Sequence, residues 1–234
     1  MNRSQGSISG AHGTIFGRGV VLISLAVSTL LLAGCGNLLS SRAEAPVTYV
    51  LRPMFAEASA AGCGAPAAPA VVQVTEVVVA PGYATESILA SRPGRRLDVY
   101  AASRWPAALP TVVESLAVEA LHAAGCAAQD ARASVAPTHG VRILVRRFDA
   151  EYVDEATPPL VKVVLEVTVT RRPDRQVLAV FPVEVDIPAT ANRMGSIVAA
   201  FEAATGQALD RMASAATAAI VSTHAVHPPA TPNP

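Results

Sequence analysis

The residues of this chain best placed to do chemistry are its three cysteines, and each sits in a different setting. Cys35 closes the string Leu32-Ala33-Gly34-Cys35, at the end of an apolar run from Val20 to Ala33. Ahead of that run lies a leader, Met1 to Gly19, with Arg3 and Arg18 and no acidic residue. Charge followed by an apolar stretch is the order of a secretory signal. Small residues before a cysteine admit the chain to a signal peptidase, and the cysteine thiol receives a diacylglycerol. The string therefore reads as a lipobox and Cys35 as a lipidation site. The apolar run, at 14 residues, is short of the roughly 20 that span a bilayer as a helix. The expected anchor is a set of acyl chains, each buried methylene contributing about 0.8 kcal/mol. The plainer alternative is an unmodified thiol behind an ordinary cleaved signal.

With Cys35 acylated, Cys63 and Cys126 remain in a compartment where thiols are oxidised. They allow one pairing. A disulfide between them would tie a loop before the first long strand to the end of the first long helix. It would close about 60 residues and stabilise by about 4 kcal/mol in the chain-entropy description. The alternative is two small apolar residues left unpaired.

Nothing else assembles into a catalytic set. The histidines are His12 in the leader, His122 on a helix, His139 before a strand, and His224 and His227 near the end, without metal-ligand spacing. Asp154 and Glu155 are adjacent carboxylates in a loop, where neighbours point apart. No Gly-x-Ser-x-Gly elbow, phosphate-binding loop or His-Glu-x-x-His string occurs. The reading is no catalytic residue, no metal site and no cofactor.

The elements that would position any site follow from spacing. Val71 to Val79 is β-branched and stops at Pro81-Gly82, a strand and a turn. Ile88 to Ala90 and Leu97 to Ala101 flank Ser91-Arg92-Pro93-Gly94, a hairpin. After Pro110, the residues Val112, Val113, Leu116, Ala120 and Leu121 recur at helical spacing until Gly125. Val141, Ile143 and Val145, then Val161 through Val169, alternate with polar residues, and Gln176 to Asp186 completes an antiparallel meander. Ile197, Phe201, Ala204, Ala208, Met212 and Ile220 mark a long amphipathic helix from about Met194 to Ser222. The order predicts an α+β fold, a mixed α/β layer whose mainly antiparallel sheet is covered by two amphipathic helices. The boundaries expected are a signal over 1–34, a lipidated tether over 35–46, a domain over 47–223 containing a short strand at Val47 to Leu51, and a disordered proline-rich tail over 224–234.

Composition narrows the partners. Losing Arg3 and Arg18 takes the 18 basic residues to 16 against 18 acidic ones, so no basic stripe is left to neutralise a run of phosphates, and nucleic acid is not expected. The clusters Arg142, Arg146, Arg147 and Arg171, Arg172, Arg175 read as solvated strand faces and turns. With 4% aromatic residues, the core should be Val, Leu, Ile and Ala rather than stacked rings.

The arrangement from Tyr49 to about Ile220 resembles the ABC-type transport auxiliary lipoprotein family. The residues that carry the likeness are the lipobox, the early strand Thr48-Tyr49-Val50-Leu51, and Leu97-Asp98-Val99-Tyr100 leading into Arg104-Trp105-Pro106-Ala107-Ala108-Leu109-Pro110. The two-helix arrangement and the late Ala200-Phe201-Glu202-Ala203-Ala204 helix complete it. The resemblance implies an accessory, non-enzymatic subunit beside a mammalian-cell-entry-type protein and an ABC permease and ATPase, in systems that move lipids between the two membranes. The other readings are an outer-membrane assembly or integrity lipoprotein unlinked to transport and, third, a periplasmic enzyme. The membrane is the expected partner through the lipid anchor, and a homo-oligomer is compatible. Gly36 after the cysteine points to the periplasmic face of the outer membrane, with the inner membrane as the alternative. Arg104 and Trp105 are the candidate partner-binding pair; a core role for Trp105, sealing the start of the first helix, is the favoured reading of that ring.

Overall fold

The computed structural model describes residues 45–57, 62–63 and 70–226. The lipidation site and the tether before Ala45 lie outside them, as does the tail after Val226. The elements are β1 (Val47–Thr48), β2 (Val71–Val79), β3 (Ser87–Arg92), β4 (Arg96–Arg104), α1 (Leu109–Ala123), β5 (Ala127–Gln129), β6 (His139–Glu151), β7 (Leu160–Arg171), β8 (Gln176–Pro188) and α2 (Met194–Val226). This is an α+β fold, one eight-stranded sheet with two helices.

β6 organises the sheet. One of its edges pairs antiparallel with β7 from His139↔Arg171 to Glu151↔Leu160, and β7 pairs antiparallel with β8. Its other edge is shared. The first half takes β2 in parallel, from Val72↔His139 to Val79↔Val145, and the last residues take β3 in parallel at Ala90↔Ala150 and Ser91↔Glu151. The meander and the β3–β4 hairpin match the expectation. The parallel contacts of β1 with β4, of β2 with β5 and β6, and of β3 with β6 are a further feature, because alternation reports a half-buried strand without naming its neighbour.

Alternation holds almost without exception on β7, where Val161, Val163, Leu165, Val167 and Val169 are buried. On β6 it breaks once. Val141, Ile143 and Val145 are buried, then Phe148 and Ala150, because the register shifts between Val145 and Arg147. An extra residue at a bulge changes which face each later side chain meets, and it turns Arg147, Asp149 and Glu151 together onto the other side.

α1 starts at Leu109 with Pro110 in its first turn, and Leu109 donates its backbone N–H to Thr85 O at 3.1 Å. It ends through Gly125 at φ 78°, where Gly125 N reaches His122 O at 2.9 Å and Cys126 N reaches Leu121 O at 3.0 Å. That paired closure needs a left-handed residue. α2 buries Ile197, Phe201, Ala204, Ala208, Met212 and Ile220, the residues its spacing marks, and it stays helical to Val226, beyond the expected end at Ser222 and into the start of the expected tail.

Two expectations need correction. The short strand expected over Val47 to Leu51 stops at Thr48, and over residues 49–57 the chain runs as a strap along α2. Leu51 is buried, Arg52 N donates to Glu202 Oε2 at 2.9 Å and Ala56 N to Asp210 Oδ1 at 3.1 Å. Glu202, Gly206 and Asp210 lie one turn apart. A Cβ on Gly206 would sit 3.1 Å from Pro53 Cβ, so the missing side chain is what admits the strap. The core also contains stacked rings. Trp105 meets Phe148 edge-on at 6.1 Å and Phe201 at 5.4 Å, and Phe148 stacks on Phe201 at 5.2 Å. The few aromatics are concentrated where β6, α2 and the β4–α1 connection converge.

Candidate functional site

Cys63 and Cys126 are joined as a disulfide with Cα atoms 4.7 Å apart. Both are buried, and the α2 hydroxyl of Thr217 lies 3.3 Å from Cys63 Sγ and 3.5 Å from Cys126 Sγ. The backbones touch as well: Cys63 N donates to Gly125 O at 3.3 Å. The bond therefore pins the segment at Gly62 and Cys63 to the C-terminal closure of α1. A shallow hollow of about 800 Å³ lies beside it, lined largely by small residues such as Gly62, Ala120, Ala124 and Ala213.

Arg104 and Trp105 part company. Trp105 is 2% exposed, so its ring cannot anchor a partner on the folded domain and fills the core instead. Arg104 is half exposed. Its Nε donates to Thr48 Oγ1 at 3.3 Å and its Nη1 lies 3.4 Å from Glu86 Oε2. Tyr49 N donates to Arg104 O at 2.8 Å, so this residue clips β1 to the end of β4 while keeping a solvent face.

His122 is exposed, whereas His139 is buried at 3% and opens β6 with Nδ1 2.9 Å from Thr138 Oγ1. His139 is thus part of the packed structure, not a surface position before a strand. Asp154 and Glu155 do diverge. Asp154 accepts from the N–H groups of Ala156 and Thr157 and from the Thr157 hydroxyl. Led by the Thr157 bonds, these hold its carboxyl below the usual range. Glu155 reaches Arg92 at 2.6 Å. Among the described residues no group of three or more His, Cys, Asp or Glu is placed to hold a metal ion.

The densest polar arrangement was not signalled by any motif. On the face that the bulge turns out, Asp149 of β6, Lys162 of β7 and Asp186 of β8 are successive register partners. Asp149 is fully buried, accepting from Tyr83 Oη at 2.8 Å and from Arg147 Nη2 at 2.8 Å and Nε at 3.1 Å. The bonds to Asp149 raise the Arg147 guanidinium above its ordinary value. Lys162 bridges Asp186 at 2.8 Å and Glu151 at 3.5 Å. Beside this row, Arg92 lies 4.7 Å over the Tyr152 ring and pairs with Asp98 and Glu155. The Tyr152 hydroxyl donates to Asn192 and accepts from Tyr100. Between the two groups is a pocket of about 470 Å³ lined by Tyr83, Arg92, Arg95, Arg96, Arg147 and Tyr152 among others. The sequence carried one signal for it: Ser91-Arg92-Pro93-Gly94-Arg95-Arg96 is a turn that holds three arginines.

Burial first, then the bond to Asp149, push the Tyr83 phenol up to about 12. A raised value means that the folded chain keeps a proton which the unfolded one releases near pH 10. The associated stability is complete below that pH and is lost as pH rises towards about 12. Urea denaturation across this interval should show a steeper alkaline decline for the wild type than for Tyr83→Phe. Parallel declines would mean that Tyr83 is not the coupled group.

The site is thus a disulfide-closed α+β domain with a polar row on one sheet face, and comparison with known proteins gives it a family. The model of the ABC-type transport auxiliary lipoprotein component family matches residues 49–213. The chain belongs to that family. Its fold is that of a Xanthomonas campestris protein of the DUF330 family, with a TM-score of 0.67, 20% identity, and coverage of 76% of this chain and 99% of the other. A second solved structure, an uncharacterized protein, matches with a TM-score of 0.57 and 13% identity over 74% of this chain and 99% of its own. No functionally curated protein matches the sequence. Among the described residues no helix is long and apolar enough to cross a membrane.

Proposed function

We propose that the chain is a lipid-anchored, non-enzymatic subunit of an ABC transport system that includes a mammalian-cell-entry-type protein and moves lipids between the inner and outer membranes. The observation that carries this reading is the family match over residues 49–213. The physical layout supports it. An acylated Cys35 would leave ten residues before the domain begins at Pro46, enough reach for a domain that docks on a partner while its acyl chains stay in the leaflet. The surface, not a cavity with a nucleophile and base, is where such a subunit acts; the half-exposed Arg104 and the outer face of α2 are the docking positions to change first. Gly36 supports the outer membrane as the site of anchoring.

Affinity purification from detergent extracts should recover a mammalian-cell-entry-type protein together with the permease. Recovery of outer-membrane assembly factors alone would overturn the assignment. Cys35→Ser should abolish fatty-acid labelling and release the protein into the soluble periplasm; label that persists in the variant would refute lipidation at this residue.

A further inference from the structure

The pocket beside the β3–β4 turn is built from more guanidinium groups than its own ion pairs use. Arg92 is held by Asp98 at 3.3 Å and Glu155 at 2.6 Å, and Arg147 by the buried Asp149 at 2.8 Å. Arg95 and Arg96 make no direct ion pair among the described residues, and Arg96 acts on a carboxylate only at longer range, as a minor contributor beside the Val99 N–H bond that chiefly lowers Asp98. One acidic residue lines the pocket, Glu151, and it is shared between Arg147 and Lys162, each at 3.5 Å. The backbone fixes the two spare arginines. Arg92↔Arg96 closes the hairpin pairing, and Gly94 at φ 81° and Arg95 at φ 63° turn the chain at its tip. Guanidinium forks match phosphate oxygens geometrically and are the usual choice for them.

An exposed apolar stripe starts at the pocket: Leu97 lines it and is 44% exposed, and Val99, two residues further on the same strand face, is 52% exposed. A free phosphate ion has no use for such a stripe. A phosphate ester with a hydrocarbon portion does, and a volume of about 470 Å³ suits a headgroup rather than a whole lipid. We infer that this pocket receives the phosphate of an anionic phospholipid, with Arg95 and Arg96 as the anion-contacting residues, Arg92 and Arg147 as walls fixed by their own ion pairs, and Leu97 and Val99 against the first methylenes. The inference deepens the lipid-transport reading and rests on it for the choice of a lipid over other phosphate esters.

Native mass spectrometry of the full-length acylated protein, released from neutral detergent, tests it with three probes: phosphatidylglycerol, phosphatidylcholine and inorganic phosphate. Phosphatidylglycerol adducts should exceed phosphatidylcholine adducts, and Arg95→Glu/Arg96→Glu should lower them about tenfold, the size of losing charge-assisted bonds to a phosphate. Arg171→Glu, at the turn on the opposite end of the meander, should leave them unchanged. Equal adducts in wild type and the double variant overturn the assignment, and so does displacement by an equal concentration of inorganic phosphate, which would mark a small-anion site. Both arginines are at an exposed turn, so circular dichroism melts of the variants should superimpose on the wild type; an unfolded double variant is replaced by the two single changes, read in the same way. Failure here leaves the affinity-purification result standing, and failure there leaves the adducts standing, so the two readings fall separately.

Discussion

Trp105→Ala should lower the stability of the domain by about 3–5 kcal/mol, the usual range for removing a large ring from a packed interior. The site has little room to relax. The ring is edge-on to both Phe148 and Phe201, which stack on each other, and these come from a β6 strand paired on both edges and from the N-terminal third of a 33-residue helix. The backbone is fixed too, since Trp105 N donates to Glu86 O at 2.7 Å. For a chain of this size the loss corresponds to a fall in melting temperature of roughly 6–20 °C, read by circular dichroism because the only tryptophan has gone. Arg104→Ala is the control next door. Its partners Glu86 and Thr48 are at the surface, and an exposed pair of this kind contributes about 0–1 kcal/mol. A Trp105→Ala protein that melts with the wild type would refute the core role of the ring. An Arg104→Ala protein that melts normally but no longer recovers the transport partner would instead place that residue at the docking surface.

That contrast shows how much of the molecule was legible in its sequence. The helices and the meander were, because Val161 to Val169 and Ile197 to Ile220 repeat one buried face with few exceptions, and burial of one face is what periodicity records. The bulge after Val145 was not. It shifts the pattern once, and a single shift in a short strand looks like ordinary noise until the register with β7 is known. Everything that depends on it was hidden as well: Asp149 under Tyr83, Arg147 beside it, and the row that continues to Lys162 and Asp186. The Arg142 and Arg146 side chains did prove to be half-exposed members of strand-face ion pairs and Arg171 a less exposed member of a turn pair, whereas Arg147 departs from the solvated reading by pairing with the fully buried Asp149. Arg92, Arg95 and Arg96 were passed over because turn chemistry, carried by Pro93 and Gly94, accounts for the segment without asking what its charges face. The strap over α2 was illegible for a different reason. Its sequence is short and mixed, and its order comes from contacts about 150 residues away, between Arg52 and Glu202 and between Ala56 and Asp210.

The disulfide is the second place where a small change should have a large effect. Cys63→Ala/Cys126→Ala should cost about 4 kcal/mol, because the bond closes a segment of 63 residues and removes its open conformations from the unfolded ensemble. The corresponding drop in melting temperature is roughly 8–16 °C, and a reducing agent added to the wild type should reproduce most of it. The folded state gives little reason for a further loss. Alanine can occupy both buried positions, Cys126 N keeps its bond to Leu121 O within the α1 closure, and Thr217 can turn its hydroxyl to another acceptor. Far-ultraviolet circular dichroism below the transition should therefore be unchanged. Single substitutions should be as costly as the double one, since either removes the loop closure, and the lone thiol left behind would still be buried between Gly62, Gly125 and Thr217. A double variant that melts within about 1 °C of the wild type would show that the strap is held by its α2 contacts alone. A fall confined to the wild type under reduction, absent from the variant, would confirm that the bond itself supplies the stability.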